Sequence, residues 1–152
     1  MRHIKISPTI LFLMTFIVGI CLSWFLPLKM TRFIAHEVTQ MLGLTFLLTS
    51  FILNSLAYRM FKHHSTPHLP HSVPTVLIET GVFAFSRNPV YVALILSEVG
   101  LAFIFDRIWL VLSAAALWIS LDIMIVRDEE RVLENTFKQD YMEYKNKTRR
   151  WV

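Results

Sequence analysis

The chain has 152 residues, 55% of them hydrophobic and 17% charged, with a mean hydropathy of +0.52 and a formal charge of +4. A soluble domain is about 45–50% apolar and about 25% charged, so this chain has more apolar surface than one core hides, and lipid must cover the rest. The length leaves no room for a separate soluble catalytic unit, the basic residues cluster between and after the apolar runs and form no continuous face for nucleic acid, and the single cysteine, Cys21, excludes an intramolecular disulfide.

The first apolar run, 8–28, follows Arg2, His3 and Lys5 and is close to the ~20 residues a helix needs to cross the hydrocarbon. A signal peptide shares that charged start, but its apolar region is only about 7–15 residues and ends at a small-residue cleavage site. A retained span is therefore expected, with the Cys21 thiol facing lipid or helix. The second run, 38–61, carries Thr45, Thr49, Ser50 and Asn54, groups that can bond the preceding turn or a neighbouring helix.

Residues 62–88 hold Pro67, Pro70, Pro74 and Gly81 with His63, His64, His68 and His71, and read as an ordered polar loop. Pro89 suits the first turn of a third helix, 89–105, because its missing N–H costs nothing there. Asp106 and Arg107 make a turn into a fourth run, 108–126, so the two helices should form a tight hairpin. No Gly or Pro separates that run from 127–147, where Glu130, Leu133, Phe137, Tyr141 and Tyr144 recur at three or four residues and predict an amphipathic helix with an aromatic face.

The expected fold is all-α: a polytopic membrane protein, one integral membrane domain over 1–152, with about four transmembrane helices and a C-terminal amphipathic helix. Four spans put the N-terminus, the His-rich loop and the C-terminal tail on one side, which holds most of the basic residues and is therefore predicted to be cytoplasmic. Lys29 and Arg32 fall on the other side, where Glu37 and Asp106 nearly neutralise them.

Three features at that cytoplasmic surface invite chemistry: the junction Gly81 to Tyr91, the pair Glu129-Glu130, and the tail aromatics with Arg149-Arg150-Trp151. A helix starting near Pro89 offers free N–H groups, and Arg87 beside it can grip a carboxylate at two points or simply anchor the helix at lipid headgroups. Glu129 and Glu130 can accept from an amine or a ribose, or pair with Arg127 and Arg131 on a solvated face. Phe137, Tyr141 and Tyr144 can stack on a flat base, or serve as interfacial anchors. Glu98 and Asp122, inside the third and fourth runs, need a partner or a wet cavity. Both are placed to line a pocket under the site, with protonation or pairing to a group such as Asn54 as the alternative. The loop histidines, interrupted by prolines, are not expected to hold a metal.

In order and spacing, Gly81 to Tyr91 (GVFAFSRNPVY), the apolar hairpin, Arg127 to Phe137 (RDEERVLENTF), Tyr141 to Tyr144 (YMEY) and Arg149-Arg150-Trp151 resemble the isoprenylcysteine carboxyl methyltransferase and phospholipid methyltransferase group. The resemblance covers about the last half of the chain. Val82 stands where that group usually has proline, and Ala93 where glycine is common. The resemblance implies S-adenosylmethionine as cofactor, bound from the cytosol, and a lipophilic or lipid-linked acceptor entering from the bilayer. Arg87, Pro89, Tyr91, Glu129 and Glu130 match its motifs directly; Phe83 and Asn88 lie in the same strings, and Tyr141, Tyr144 and Arg150 extend them. By that implication Glu130 or Glu129 holds the cofactor's amino group or ribose, Arg87 holds its carboxylate or orients the acceptor, and Tyr91 shapes the methyl channel. The acceptor stays open between an isoprenylcysteine-like carboxylate, a phospholipid amine and another lipophilic nucleophile. Other readings are a membrane reductase using a nicotinamide cofactor, and a non-enzymatic carrier, haem-holding subunit or assembly factor, for which His36 and the loop histidines speak.

Overall fold

A computed structural model describes residues 6–66 and 75–152. Five α-helices account for most of it: α1 (Pro8–Phe25), α2 (His36–His63), α3 (Pro89–Ile104), α4 (Ile108–Leu121) and α5 (Arg127–Lys147). His68 and His71, with Pro67, Pro70 and Pro74, lie outside the described residues. Three helical stretches are long and apolar enough to cross a membrane: Pro8–Phe25, His36–His63 and the continuous Ile108–Lys147. α3 is apolar but has 16 residues, roughly 24 Å at 1.5 Å per residue.

The first helix stops three residues short of the expected 28, because Pro27 disfavours helical backbone at the residue before it and Leu26 turns extended. The second is longer than the expected 38–61. Glu37 in its first turn and Lys62 and His63 in its last complement the helix dipole at both ends. α2 lies along α3, where Gly43 and Gly100 meet: a Cβ on either would stand 3.0 Å from the other's carbonyl oxygen. Ser50 Oγ donates to the Ala93 carbonyl at 2.6 Å across the same seam.

α3 and α4 form the expected hairpin, and α1 packs on α4. At the turn of the hairpin, Asp106 takes the left-handed conformation, φ 55°. Its carboxylate accepts from the Thr31 backbone N–H at 2.8 Å and from Thr31 Oγ1 at 2.6 Å, while Trp109 Nε1 donates to the Leu26 carbonyl. These contacts fasten the end of α1 to the hairpin turn. Burial tends to raise the Asp106 carboxyl, and the Thr31 bonds outweigh it and hold the group below the usual carboxylate range.

The chain leaves α4 without a break, as expected, but through a π-helical turn, Asp122–Val126. A second departure lies in α5, which is not one straight helix over 127–147. Lys138 has φ 47° and ψ −113°, and Lys145 Nζ reaches Glu134 Oε1 at 2.7 Å. Eleven residues of straight helix would separate that pair by roughly 16 Å, so the second half of α5 folds back over the first. Tyr141 and Tyr144 are thereby buried and not spread along a lipid interface.

Candidate functional site

Gly81, at φ +62° in the left-handed region that favours glycine, turns the chain into a short 3-10 turn, Gly81–Ala84. That turn buries Phe83 edge-on against Phe61, ring centroids 5.3 Å apart. Ser86 Oγ accepts the Asn88 backbone N–H at 3.1 Å, and Pro89 then opens α3. The C-terminal tail folds alongside. The Arg87 N–H donates to the Arg149 carbonyl at 3.0 Å, Asn88 Nδ2 to the Arg150 carbonyl at 3.0 Å, and Tyr144 Oη to the Phe83 carbonyl at 2.6 Å. The junction 83–91 and the tail thus meet at the end of the bundle opposite the Thr31–Asp106 contact.

Glu130 sits at the centre of this end, its side chain 7% exposed. Arg150 grips it at two points, Nε to Oε1 at 3.0 Å and Nη2 to Oε2 at 2.7 Å. Arg87, 8% exposed, adds Nη2 to Oε1 at 3.1 Å. Asp122, at the start of the π turn, accepts Arg150 Nη1 at 3.1 Å, Arg127 Nη2 at 3.0 Å and Trp151 Nε1 at 3.3 Å. Tyr91 Oη donates to Glu129 Oε1 at 2.8 Å. Three guanidiniums and three carboxylates, drawn from the junction, the end of α4, α5 and the tail, therefore meet at one surface.

Within that cluster Arg87 Nε and Nη1 and the Tyr141 hydroxyl are buried without a hydrogen-bond partner; the guanidinium lies beside the phenol but makes no well-formed bond to it. Burying such donors unpaired costs on the order of 1–3 kcal/mol each. Burial first, then the Glu130 carboxylate, pushes the Tyr141 phenol up to about 12, with Arg87 pulling the other way. Burial, then neighbouring Tyr141, also raises Tyr144.

The expected site residues divide cleanly. Phe83, Arg87, Asn88, Pro89, Tyr91, Glu129, Glu130, Tyr141 and Tyr144 all converge here. Asp122 joins them through Arg150 and Trp151, contacts no sequence spacing announced; only the arginine-tryptophan ending hinted at them. Glu98 does not join. It is fully buried, takes hydroxyl partners from Thr15 and Ser113, and is not paired with Asn54, which is exposed. His36 and the His63–His64 pair stand at opposite ends of α2, roughly 40 Å apart along a helix of 28 residues, so they cannot share one haem. Among the described residues no group of three or more His, Cys, Asp or Glu is placed to hold a metal.

The family model described as phospholipid methyltransferase matches residues 38–140, more than half of the chain. The chain belongs to the phospholipid methyltransferase family. No curated protein and no solved structure matches it. The region shared with the phospholipid methyltransferases contains the junction, the α3–α4 hairpin and Glu129-Glu130, and leaves out α1, Tyr141, Tyr144 and the tail. Family and apolar helices together make this a membrane protein of a methyltransferase family.

Proposed function

We propose that this protein transfers a methyl group from S-adenosylmethionine to a lipophilic acceptor at the cytoplasmic membrane face. In this reading the bundle crosses the bilayer four times, with the shorter α3 as one of the spans, and both termini are cytoplasmic. The observation that carries the proposal is the buried, partly unpartnered Arg87 beside Glu130. Arg87 Nε and Nη1 remain as charged donors that can each give a single short hydrogen bond to an incoming carboxylate, and a carboxylate next to them matches an ammonium. That pair is the complement of the amino-acid end of the cofactor.

When bound, the cofactor supplies an electrophilic methyl on a sulfonium. The chain's own part is to bind, orient and keep water out. Arg87 and the Tyr141 hydroxyl hold the carboxylate, and Glu130 holds the ammonium by exchanging one of its arginine bonds. Glu129, with Tyr91, holds the ribose hydroxyls, while Phe83, Asn88, Pro89 and Tyr144 keep the wall in shape. The acceptor arrives from lipid. An open groove of about 280 Å³ lined by Trp118, Ile119, Asp122, Ile123 and Arg127 lies on the outward side of α4, beside the cluster.

Calorimetry of S-adenosylmethionine binding to detergent-purified protein tests the cofactor, with Glu130→Gln and Arg87→Gln compared under matched thermal stability. Binding by the wild type that both substitutions abolish is the expected result. Well-folded wild type that does not bind, or variants with full affinity, would overturn the reading. Methyl transfer to phosphatidylethanolamine against an isoprenylcysteine analogue then separates the acceptor classes.

A further inference from the structure

The helix α1 lies outside the residues that match the family, yet it is tied into the hairpin that carries Tyr91, the partner of Glu129. The tie is a carboxyl group. Glu98, on α3, is 0% exposed, and no ion pair among the described residues includes it. Each of its oxygens instead faces a hydroxyl: Ser113 Oγ on α4 at 2.7 Å from Oε1, and Thr15 Oγ1 on α1 at 3.2 Å from Oε2. Close by, α1 approaches α4 so tightly that a Cβ on Gly19 would stand 2.7 Å from Ser113 Oγ. The packed cluster of Leu11, Tyr91, Leu117 and Leu121 includes Tyr91, which reaches Glu129, and Ser113 lies one helical turn before Leu117.

Each hydroxyl has one hydrogen to give and more than one acceptor in reach. Thr15 Oγ1 is 3.0 Å from the carbonyls of both Leu11 and Phe12, and Ser113 Oγ is 3.0 Å from the carbonyl of Leu110. An ionised Glu98 would claim both hydrogens and still leave a full negative charge in apolar packing without a cation, the costliest arrangement a protein interior can hold. A carboxylic acid closes the network: its O–H goes to Ser113 Oγ, the Ser113 hydrogen goes to the Leu110 carbonyl, and Thr15 donates to Oε2. The 2.7 Å separation is the ordinary O–H···O distance.

We propose that Glu98 is a resident neutral carboxylic acid that keys α1 onto the α3–α4 hairpin. Thr15 and Ser113 are the side chains that face its oxygens, and neither can be charged. The acid therefore keeps its proton at neutral and mildly alkaline pH while α1 stays docked. An amide can replace it, because glutamine keeps one acceptor toward Thr15 and a donor toward Ser113. A leucine cannot.

Infrared difference spectroscopy of the full chain in detergent, wild type minus Glu98→Gln, is the test. The expected signal is the carbonyl stretch of a protonated carboxylic acid, persisting into mildly alkaline buffer and shifting upward in Thr15→Val, which removes the α1 hydroxyl from Oε2. Glu98→Gln should melt within a few degrees of wild type, and Glu98→Leu well below it. A wild type without that band, or one whose band titrates away at neutral pH, would show an ionised group and overturn the proposal. A band that Thr15→Val leaves unmoved would show an acid that does not hold α1, and overturns it equally. None of these readouts involves methyl transfer or cofactor, so they stand or fall apart from the proposed function.

Discussion

Glu98 and Glu130 are both buried carboxyl groups, and their surroundings could hardly differ more. Glu98 meets two hydroxyls and no cation; Glu130 meets two guanidiniums, one of them in two-point contact. The first arrangement suits a group whose task is to be packed, since a neutral acid with its bonds closed is nearly as inert as an amide. The second suits exchange, because a carboxylate between two arginines has partners that an incoming ammonium can replace, and Arg87 keeps free donors for the counter-group. A buried charge held by cations is a poor way to gain stability alone, which is a reason to look for its use in binding.

The sharpest way to break this contrast is Glu130→Ala. It strands Arg87 and Arg150 and should cost about 3–5 kcal/mol, the range for removing one member of a buried ion pair, read as a loss of denaturant or thermal stability in micelles. Glu98→Gln, by comparison, should cost little.

The effect of Asp122→Asn should be smaller, about 1–2 kcal/mol, since it weakens charged hydrogen bonds to Arg150 and to the half-exposed Arg127. Cofactor affinity should fall with it if the tail positions Glu130. The tyrosines sharpen the contrast further. Tyr144→Phe removes a buried 2.6 Å bond to the Phe83 carbonyl and should cost about 1 kcal/mol. Tyr141→Phe removes a buried hydroxyl that has no partner, so it should leave the free protein at least as stable, with a gain of up to about 1–3 kcal/mol, while weakening cofactor binding.

Tyr141 also sets an alkaline limit. Its value in the folded protein, about 12, lies above the 10 of a free phenol, so folding holds the proton more tightly. That contribution is fully present below pH 10 and is lost as pH rises through about 12. Phenolate absorbance should show a late-titrating component near that value that is lost in Tyr141→Phe, while Tyr144, raised too by burial and by Tyr141, still titrates late. The smallest expected effect is at Lys138, whose φ of 47° and ψ of −113° strain a side-chain-bearing residue. Lys138→Gly should raise stability by up to about 1 kcal/mol, and a loss there would argue against the fold-back of α5.

Much of this was legible in the residues. Apolar runs bounded by charge and proline placed every helix to within a few positions, because burial of a long apolar stretch leaves few alternatives. The motif strings named the groups that converge, and the family match bears out the resemblance. Two things were not legible. The bend at Lys138 has no glycine or proline to announce it, and tertiary pairing of Lys145 with Glu134 overrides an unbroken helical pattern. The different fates of Glu98 and Asp122 were equally hidden, since both were placed to line one pocket under the site, and only Asp122 reaches it.

What the sequence determined by itself is the set of helices, the need for lipid around them and the family, because hydropathy and local motif chemistry act over short stretches of chain. Only the tertiary structure decided which acid meets guanidiniums and which meets hydroxyls. That depends on the partners brought to each from distant parts of the chain, the arginines of the tail or the hydroxyls of α1 and α4.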